Sequence, residues 1–257
     1  MPLFDRLGKK IMLTDAGRRL LPFAQEIANI HALAEEALRS QNELVGTLKI
    51  GAPESLAAFR LPEIIREFRE RYPQMKIILK PGACWELNEL VASGELDLAF
   101  SLQPETEFKD LQVETLIQEP MALIAPKGHR LEHCSVVQPA DLKEEIILHT
   151  ESGCTYRALF ESYLNRHGIF PDPNLEFWSI EAIKQCVING LGISFLPRVT
   201  VQSELQEGKL IQLAWDDASQ RVSTQVAYRT KKWKSPAFDE FLQIVQKHAS
   251  IWRGEIS

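Results

Sequence analysis

From Gly46 onward, apolar residues follow two alternating rhythms: short, mostly apolar runs, and longer segments in which they recur every three or four positions. TLKIGA, KIILK and LDLAFS are runs of the first kind and read as buried strands. LPEIIREFRERYP, opened by Pro62 and stopped at Pro73, and ELNELVAS, ended by Gly94, read as helices. This alternation predicts a parallel sheet with covering helices. LQVETLI and MALIAP add two strands before the polar stretch KGHRLEHCSVVQPAD. The rhythm then restarts, with EIILHT, LEFW, GISFLP and KLIQLAW as strands. Between them CTYRALFESYLNRHGI, IEAIKQCVIN and a segment near 199–207 read as helices. Two such series predict an α/β protein of two lobes. STQVAYRT and SPAFDEFLQIVQKHAS close the chain as a strand and a helix that Ser235 is placed to cap.

The stretch before Gly46 has a different grammar. LFDRLGKKIMLTDAG reads as a small basic hairpin turning near Leu7 and Gly8, and Thr14 or Asp15 can cap a helix reaching about Gln41. Leu20, Phe23, Ile27, Ile30, Ala34 and Ala37 alternate steps of three and four along that helix, the period of a seam between two helices. Pro22 lies inside the pattern and is a candidate kink, because its ring removes a backbone donor and crowds the preceding turn. The stripe equally fits one amphipathic helix packed on its own domain.

With 257 residues, 45% of them hydrophobic and 25% charged, the chain has the composition of a globular protein with one large or two modest domains. Its formal net charge of -6 supplies no global field for nucleic acid or anionic membrane, so any such contact needs a local patch. Arg6, Lys9, Lys10, Arg18 and Arg19 form the best one. Neither a membrane-spanning run nor a secretory signal is visible, which leads us to expect a cytoplasmic protein without membrane partners. Cys84, Cys134, Cys154 and Cys186 have no CxxC pairing and no histidines at metal-ligand intervals, and are expected to be reduced thiols.

Catalytic signatures are missing: there is no GxSxG elbow, no HExxH and no GxxxxGK[ST] loop, and no metal or cofactor site is expected. GLGIS at Gly190–Ser194 follows a helix and precedes a strand, the reverse of a dinucleotide fingerprint, so Gly190 reads as a helix stop with positive φ. The six histidines are scattered and read as surface or packing residues. Binding chemistry is more visible. In an open parallel sheet the ligand crevice lies beyond the carboxyl ends of the strands, where helix starts present unpaired N–H groups. Those ends carry Ala52-Pro53-Glu54-Ser55, Gly82-Ala83-Cys84-Trp85, Ser101, and Thr150 to Thr155. Serine and threonine there are either helix caps or ligand contacts.

Taken in order, LFDRLGKKIMLTDAGRRLL, GTLKIGAPESLAAFRLPEIIREFRERYP, ASGELDLAFS and VINGLGISFLP resemble a LysR-type transcriptional regulator over essentially the whole chain. The resemblance implies part of a winged helix-turn-helix (1–14), a linker and dimerisation helix (15–45), and an effector-binding domain shaped like periplasmic solute-binding proteins (46–257). Within the last, lobe I is expected at about 46–124 and 224–257 and lobe II at about 125–223. Homodimers or homotetramers, promoter DNA and a small-molecule effector, an organic acid or other small anion, are the implied partners. The family's pocket falls on Ser55, Gly82, Cys84, Ser101, Ser152, Gly153, Cys154 and Thr155, with Phe195 a lesser candidate and Trp85 and Trp178 as apolar walls. Arg6, Lys9 and Lys10 match the wing, which contacts phosphate and does not read sequence. Since the family's recognition helix comes before the wing and Met1 stands almost at it, the expectation is weak, salt-sensitive DNA attraction without operator specificity.

Cys84 and Cys154 fall at expected helix starts, where the dipole lowers a thiol pKa, so oxidant sensing stands beside plain packing as their role. Two rival functions share the bilobal fold. One is a solute-binding protein, which needs export; the other is an enzyme, for which Glu54 and Glu151 are the acid or base candidates.

Overall fold

Two mixed sheets, one of five strands and one of four, organise the chain in the computed structural model. It describes residues 1–7, 10–37, 44–170, 175–215, 222–230 and 234–256. At the N-terminus β1 (Phe4–Leu7) and β2 (Lys10–Leu13) form the expected antiparallel hairpin, Leu7 facing Lys10. Lys9 and the side chains of Arg6 and Lys10 lie outside the described residues. Thr14 starts α1 (Asp15–Ala37): its hydroxyl accepts from the Gly17 N–H at 3.0 Å and donates to the Pro2 carbonyl at 2.9 Å. The helix runs through Pro22, and its expected end near Gln41 lies outside the described residues. Leu20, Phe23, Ile27 and Ile30 are exposed on it, so these four positions of the apolar stripe are not packed on the chain's own lobes.

The first sheet begins with β3 (Gly46–Ala52), which leads into α2 (Glu54–Phe59) and α3 (Leu61–Arg71). β4 (Met75–Pro81), α4 (Cys84–Ser93), β5 (Leu98–Gln103) and β6 (Leu111–Glu119) complete the outward path. β7 (Met121–Pro126) follows one residue later but belongs to the second sheet, so the crossing comes at Pro120, ahead of the expected bound near 124. The second lobe contains β8 (Ile147–Leu148), α5 (Thr155–Arg166), α6 (Ile180–Ile188), β9 (Ile193–Pro197), α7 (Gln202–Gln206) and β10 (Leu210–Leu213). The chain then returns through β11 (Val222–Arg229) to the first sheet and ends in α8 (Pro236–Ile256), with the Ser235 hydroxyl accepting from the Phe238 N–H.

Strand order is β4-β3-β5-β11-β6 in the first sheet and β10-β7-β9-β8 in the second. This corrects the parallel sheets expected from alternation. β3 runs parallel to β4 and β5, whereas β11 inserts antiparallel to both β5 and β6 because it enters from the far lobe. In the second sheet only the β8–β9 pairing is parallel. LEFW is no strand: Leu175 and Phe177 make two backbone bonds to His149 beyond the two-residue β8, too little for a ladder. The helix expected near 199–207 is a 3₁₀ turn at Arg198–Thr200 followed by α7.

α4 covers one face of the first sheet with Leu87 and Val91, and α3 and α8 cover the other with Phe68 and Phe241, which meet edge to face at 5.3 Å. β5 is buried along its whole length, as a strand covered on both faces must be. Apolar packing continues through the crossover into the second lobe. A buried ion pair sits at that crossover: Arg60 reaches Glu119 at 2.5 Å and lies over the Trp252 ring, while the Thr224 hydroxyl donates to the other Glu119 oxygen at 2.8 Å. The two strands that join the lobes are thus held by one carboxylate. Gly190, at φ 80°, stops α6 in the left-handed conformation its sequence position suggested.

Candidate functional site

The ends of the strands put four helix beginnings around one cleft between the lobes. β3 ends at Ala52, and Pro53, with φ held at -64°, turns the chain into α2 so that Ser55 points inward. β4 delivers Ala83 and Cys84 at the start of α4. In the second lobe Gly153 takes φ +92°, a conformation available to it without Cβ strain, and sets Cys154 and Thr155 at the start of α5. Ser179 caps α6 by accepting from the Ala182 N–H.

These beginnings enclose a cavity of about 20 Å³, room for one or two water molecules. Ser55, Cys84, Gly153, Cys154 and Thr155 line it, so five of the nine expected positions come together. The other four lie apart. Gly82 packs toward Leu87, Ser101 is enclosed in β5, and Ser152 is exposed on the turn before α5. Phe195 belongs to an aromatic cluster, stacked on Phe160 at 4.7 Å and edge-on to Trp215 at 5.0 Å. Trp85 and Trp178 are exposed, 61% and 76%, and neither is among the residues lining the cavity. The reading from sequence missed Leu102, Tyr156 and Ile180, which also line the cavity. Ile180 acts through its backbone, and the Ser179 cap ahead of an apolar periodic run was the available signal.

Two carboxylates line the cavity from opposite sides. Glu54, on α2, accepts the Ile180 N–H at 3.0 Å and the Ser179 hydroxyl at 3.4 Å, so a first-lobe carboxylate holds the start of a second-lobe helix. The contact is favourable because the first-turn N–H groups have no helical acceptor and carry the positive end of the dipole. Glu151 faces it from the second lobe. Burial pushes its carboxyl up from the usual range, and nearby Glu54 and Glu176 push the same way against Arg157. Among the described residues no lysine, arginine or histidine lines the cavity.

The thiols are not activated by their helix starts. Burial raises Cys84, against a 3.9 Å contact from its Sγ to the Leu102 carbonyl, and burial raises Cys154 to about 11. Desolvation outweighs the dipole, and both groups are neutral thiols at physiological pH. The Ser55 hydroxyl is 2% exposed and, among the described residues, has no hydrogen-bond partner. A buried hydroxyl left unpaired is costly, and one that faces a cavity has its donor free for a guest. No group of three or more metal-ligating side chains occurs among the described residues, and no described helix is long and apolar enough to cross a membrane.

Residues 41–250 match the LysR substrate binding domain family. The HTH-type transcriptional regulator YwqM of Bacillus subtilis is 42% identical over 247 residues, which cover 96% of this chain and 84% of that one. The HTH-type transcriptional regulator GltR of the same organism is 32% identical over 255 residues, covering 99% and 84%. Among solved structures, the CcmR regulatory domain of Synechocystis in complex with 2-PG superposes with a TM-score of 0.70 at 27% identity, covering 79% of this chain and 96% of that one. A full-length OxyR from Pseudomonas aeruginosa shares the fold with a TM-score of 0.72 at 21% identity, over 96% and 79%.

Proposed function

The chain belongs to the LysR-type transcriptional regulators, and from that premise we propose that its interlobe cleft takes up a small organic acid. The protein senses an effector and is not an enzyme, in keeping with relatives that are transcriptional regulators. In this proposal Ser55, Cys84, Gly153, Cys154 and Thr155 contact the effector. The domain assignment is residues 46–257 for effector binding, 15–45 for a linker helix and 1–14 for a wing. Arg6, Lys9 and Lys10 touch promoter phosphates in this arrangement, and the protein works in the cytoplasm.

The observation that carries the reading is the Ser55 hydroxyl, buried and, among the described residues, unpaired at a cavity ringed by helix starts. The exposed stripe Leu20, Phe23, Ile27 and Ile30 on α1 supports a homodimer or homotetramer, since two such helices can bury it together. The cavity holds only water-sized guests, so a metabolite enters when the lobes move apart and stabilises whichever lobe arrangement fits it. That differential binding shifts the population, and α1 transmits the change to the DNA-binding elements.

Thermal denaturation of the whole chain against a panel of small carboxylates, amino acids and sulfur metabolites tests the reading. A genuine effector raises the midpoint in proportion to RT ln(1 + [L]/Kd). Ser55→Trp, which fills the cavity, abolishes the rise. Stabilisation that survives Ser55→Trp places the ligand elsewhere and overturns the proposal.

A further inference from the structure

The acidic lining narrows the effector class, on the premise that the cleft is where the effector binds. We infer that the ligand is an α-amino acid, its ammonium group held between Glu54 and Glu151 and its carboxylate at Ser55 and the starts of α4 and α5. Three observations carry this.

First, the cavity brings one carboxylate from each lobe to a common space and offers no basic side chain to a ligand. A plain dicarboxylate or phosphate would enter against two negative charges with no cation to offset them, and like charges in a poorly solvated site repel strongly. An ammonium group reverses the sign of both interactions. It also brings three donors, enough to bridge two carboxylates and a carbonyl.

Second, the two carboxylates are not equivalent. Glu54 already accepts from the Ile180 N–H and the Ser179 hydroxyl, whereas Glu151 forms no ion pair among the described residues. A cation beside Glu151 stabilises its ionised form against burial and its acidic neighbours, which push the other way.

Third, the cavity contains a matched place for the opposite charge. Among the described residues the Ser55 hydroxyl is a buried donor without a partner, and α4 and α5, helices of 10 and 12 residues, both begin at the same cavity, where first-turn N–H groups lack a helical acceptor and carry the positive end of the dipole. Acidic and dipole-positive ends therefore face each other across a small distance, the pattern that a zwitterion satisfies and that a simple acid or a simple amine satisfies by half.

Calorimetric titration of the whole chain with the twenty L-amino acids, each accompanied by its 2-oxo acid and its decarboxylated amine, tests the inference. At least one amino acid is expected to bind about 10- to 100-fold more tightly than either mate, the worth of one charge-assisted hydrogen bond. Glu151→Gln is expected to weaken that amino acid about 10- to 100-fold while the 2-oxo acid is unchanged or improved. A 2-oxo acid that equals its amino acid, or a Glu151→Gln variant that weakens both alike, overturns the inference. If acids without an amino group bind and Ser55→Trp abolishes their binding, the cleft remains the effector site and only the amino-acid assignment falls. If none of the three compound classes binds, both fall.

Discussion

Removing the Glu54 carboxylate should loosen the start of α6 without disturbing the rest of the second lobe. The Ile180 N–H has no helical acceptor, being in the first turn, and Glu54 is its partner at 3.0 Å. The companion bond from Ser179 is 3.4 Å, near the limit of a useful contact, so one charge-assisted bond supplies most of the interaction. Such a bond is worth about 1.5–3 kcal/mol when buried; for a half-buried carboxylate at a helix start, about 1–2 kcal/mol is the reasonable range. Glu54→Ala should therefore raise the opening equilibrium at Ile180 by roughly 5- to 30-fold. Amide exchange of Ile180 followed by NMR reads that change directly. The Val187 amide, later in the same helix, serves as the control and should be unaffected. Glu54→Gln keeps an acceptor and loses the charge, and should give an intermediate rate. Exchange at Ile180 that rises less than about twofold in Glu54→Ala would refute the idea that this carboxylate ties the lobes together.

Other consequences are equally direct. Arg60→Ala leaves the fully buried Glu119 with only the Thr224 hydroxyl, which should cost about 3–5 kcal/mol and lower Tm by roughly 6–20 °C, whereas Arg60→Met with Glu119→Met should recover most of the loss. Hydrogen bonds from Lys247 and His248 hold the Glu67 carboxyl down at about 2; its contribution to stability is therefore complete above the ordinary carboxylate range and disappears as pH falls toward 2. Acid titration monitored by circular dichroism should show a shallower loss for Glu67→Gln across that window. Cys84 and Cys154, buried and held as neutral thiols, should be alkylated by iodoacetamide at neutral pH more slowly than the half-buried Cys134 and Cys186, as peptide mass spectrometry can resolve. Faster labelling of either buried thiol would reinstate oxidant sensing as its role.

The elements that the hydrophobic pattern delimited are those long enough to show a period. α3 announces itself by Pro62 at its start and apolar residues on one face, and β3, β5 and β9 by short, mostly apolar runs. α2 escaped because six residues hold less than two turns, too few for a helical period to emerge. Pairing direction escaped for a different reason. A strand buried on both faces looks the same whichever way its neighbours run, and β11 became antiparallel to β5 and β6 through where the chain re-enters the first lobe. Site residues divide along a similar line. Ser55, Cys84, Cys154 and Thr155 lie at the helix starts reached by the turns after strand ends, so topology carries them to the cleft. Ser101 sits one residue before Leu102 on β5, and the two-residue alternation of a strand sends Leu102 to the cavity and Ser101 to the other side.

What strand-end logic could not supply was the sign of the charge at the site. Helix starts favour anions, and counting them around the cleft pointed to a small acid. That count treats every helix start as free, but α6 is already served by Glu54, which enters from the opposite lobe. An internal carboxylate changes the arithmetic twice: it satisfies one dipole that would otherwise attract a ligand, and it leaves a negative charge in the cavity. With Glu151 added, the acidic side chains offset what the remaining helix starts attract. Opening the lobes far enough to admit a metabolite must also disturb the Glu54 contact with α6, because the closed cavity holds little more than water. The same carboxylate therefore takes part in recognising the ligand and in setting the lobe arrangement that the ligand alters. A ligand whose cation replaces part of what Glu54 loses on opening would couple occupancy to lobe position more strongly than an anion, which would only add to the repulsion.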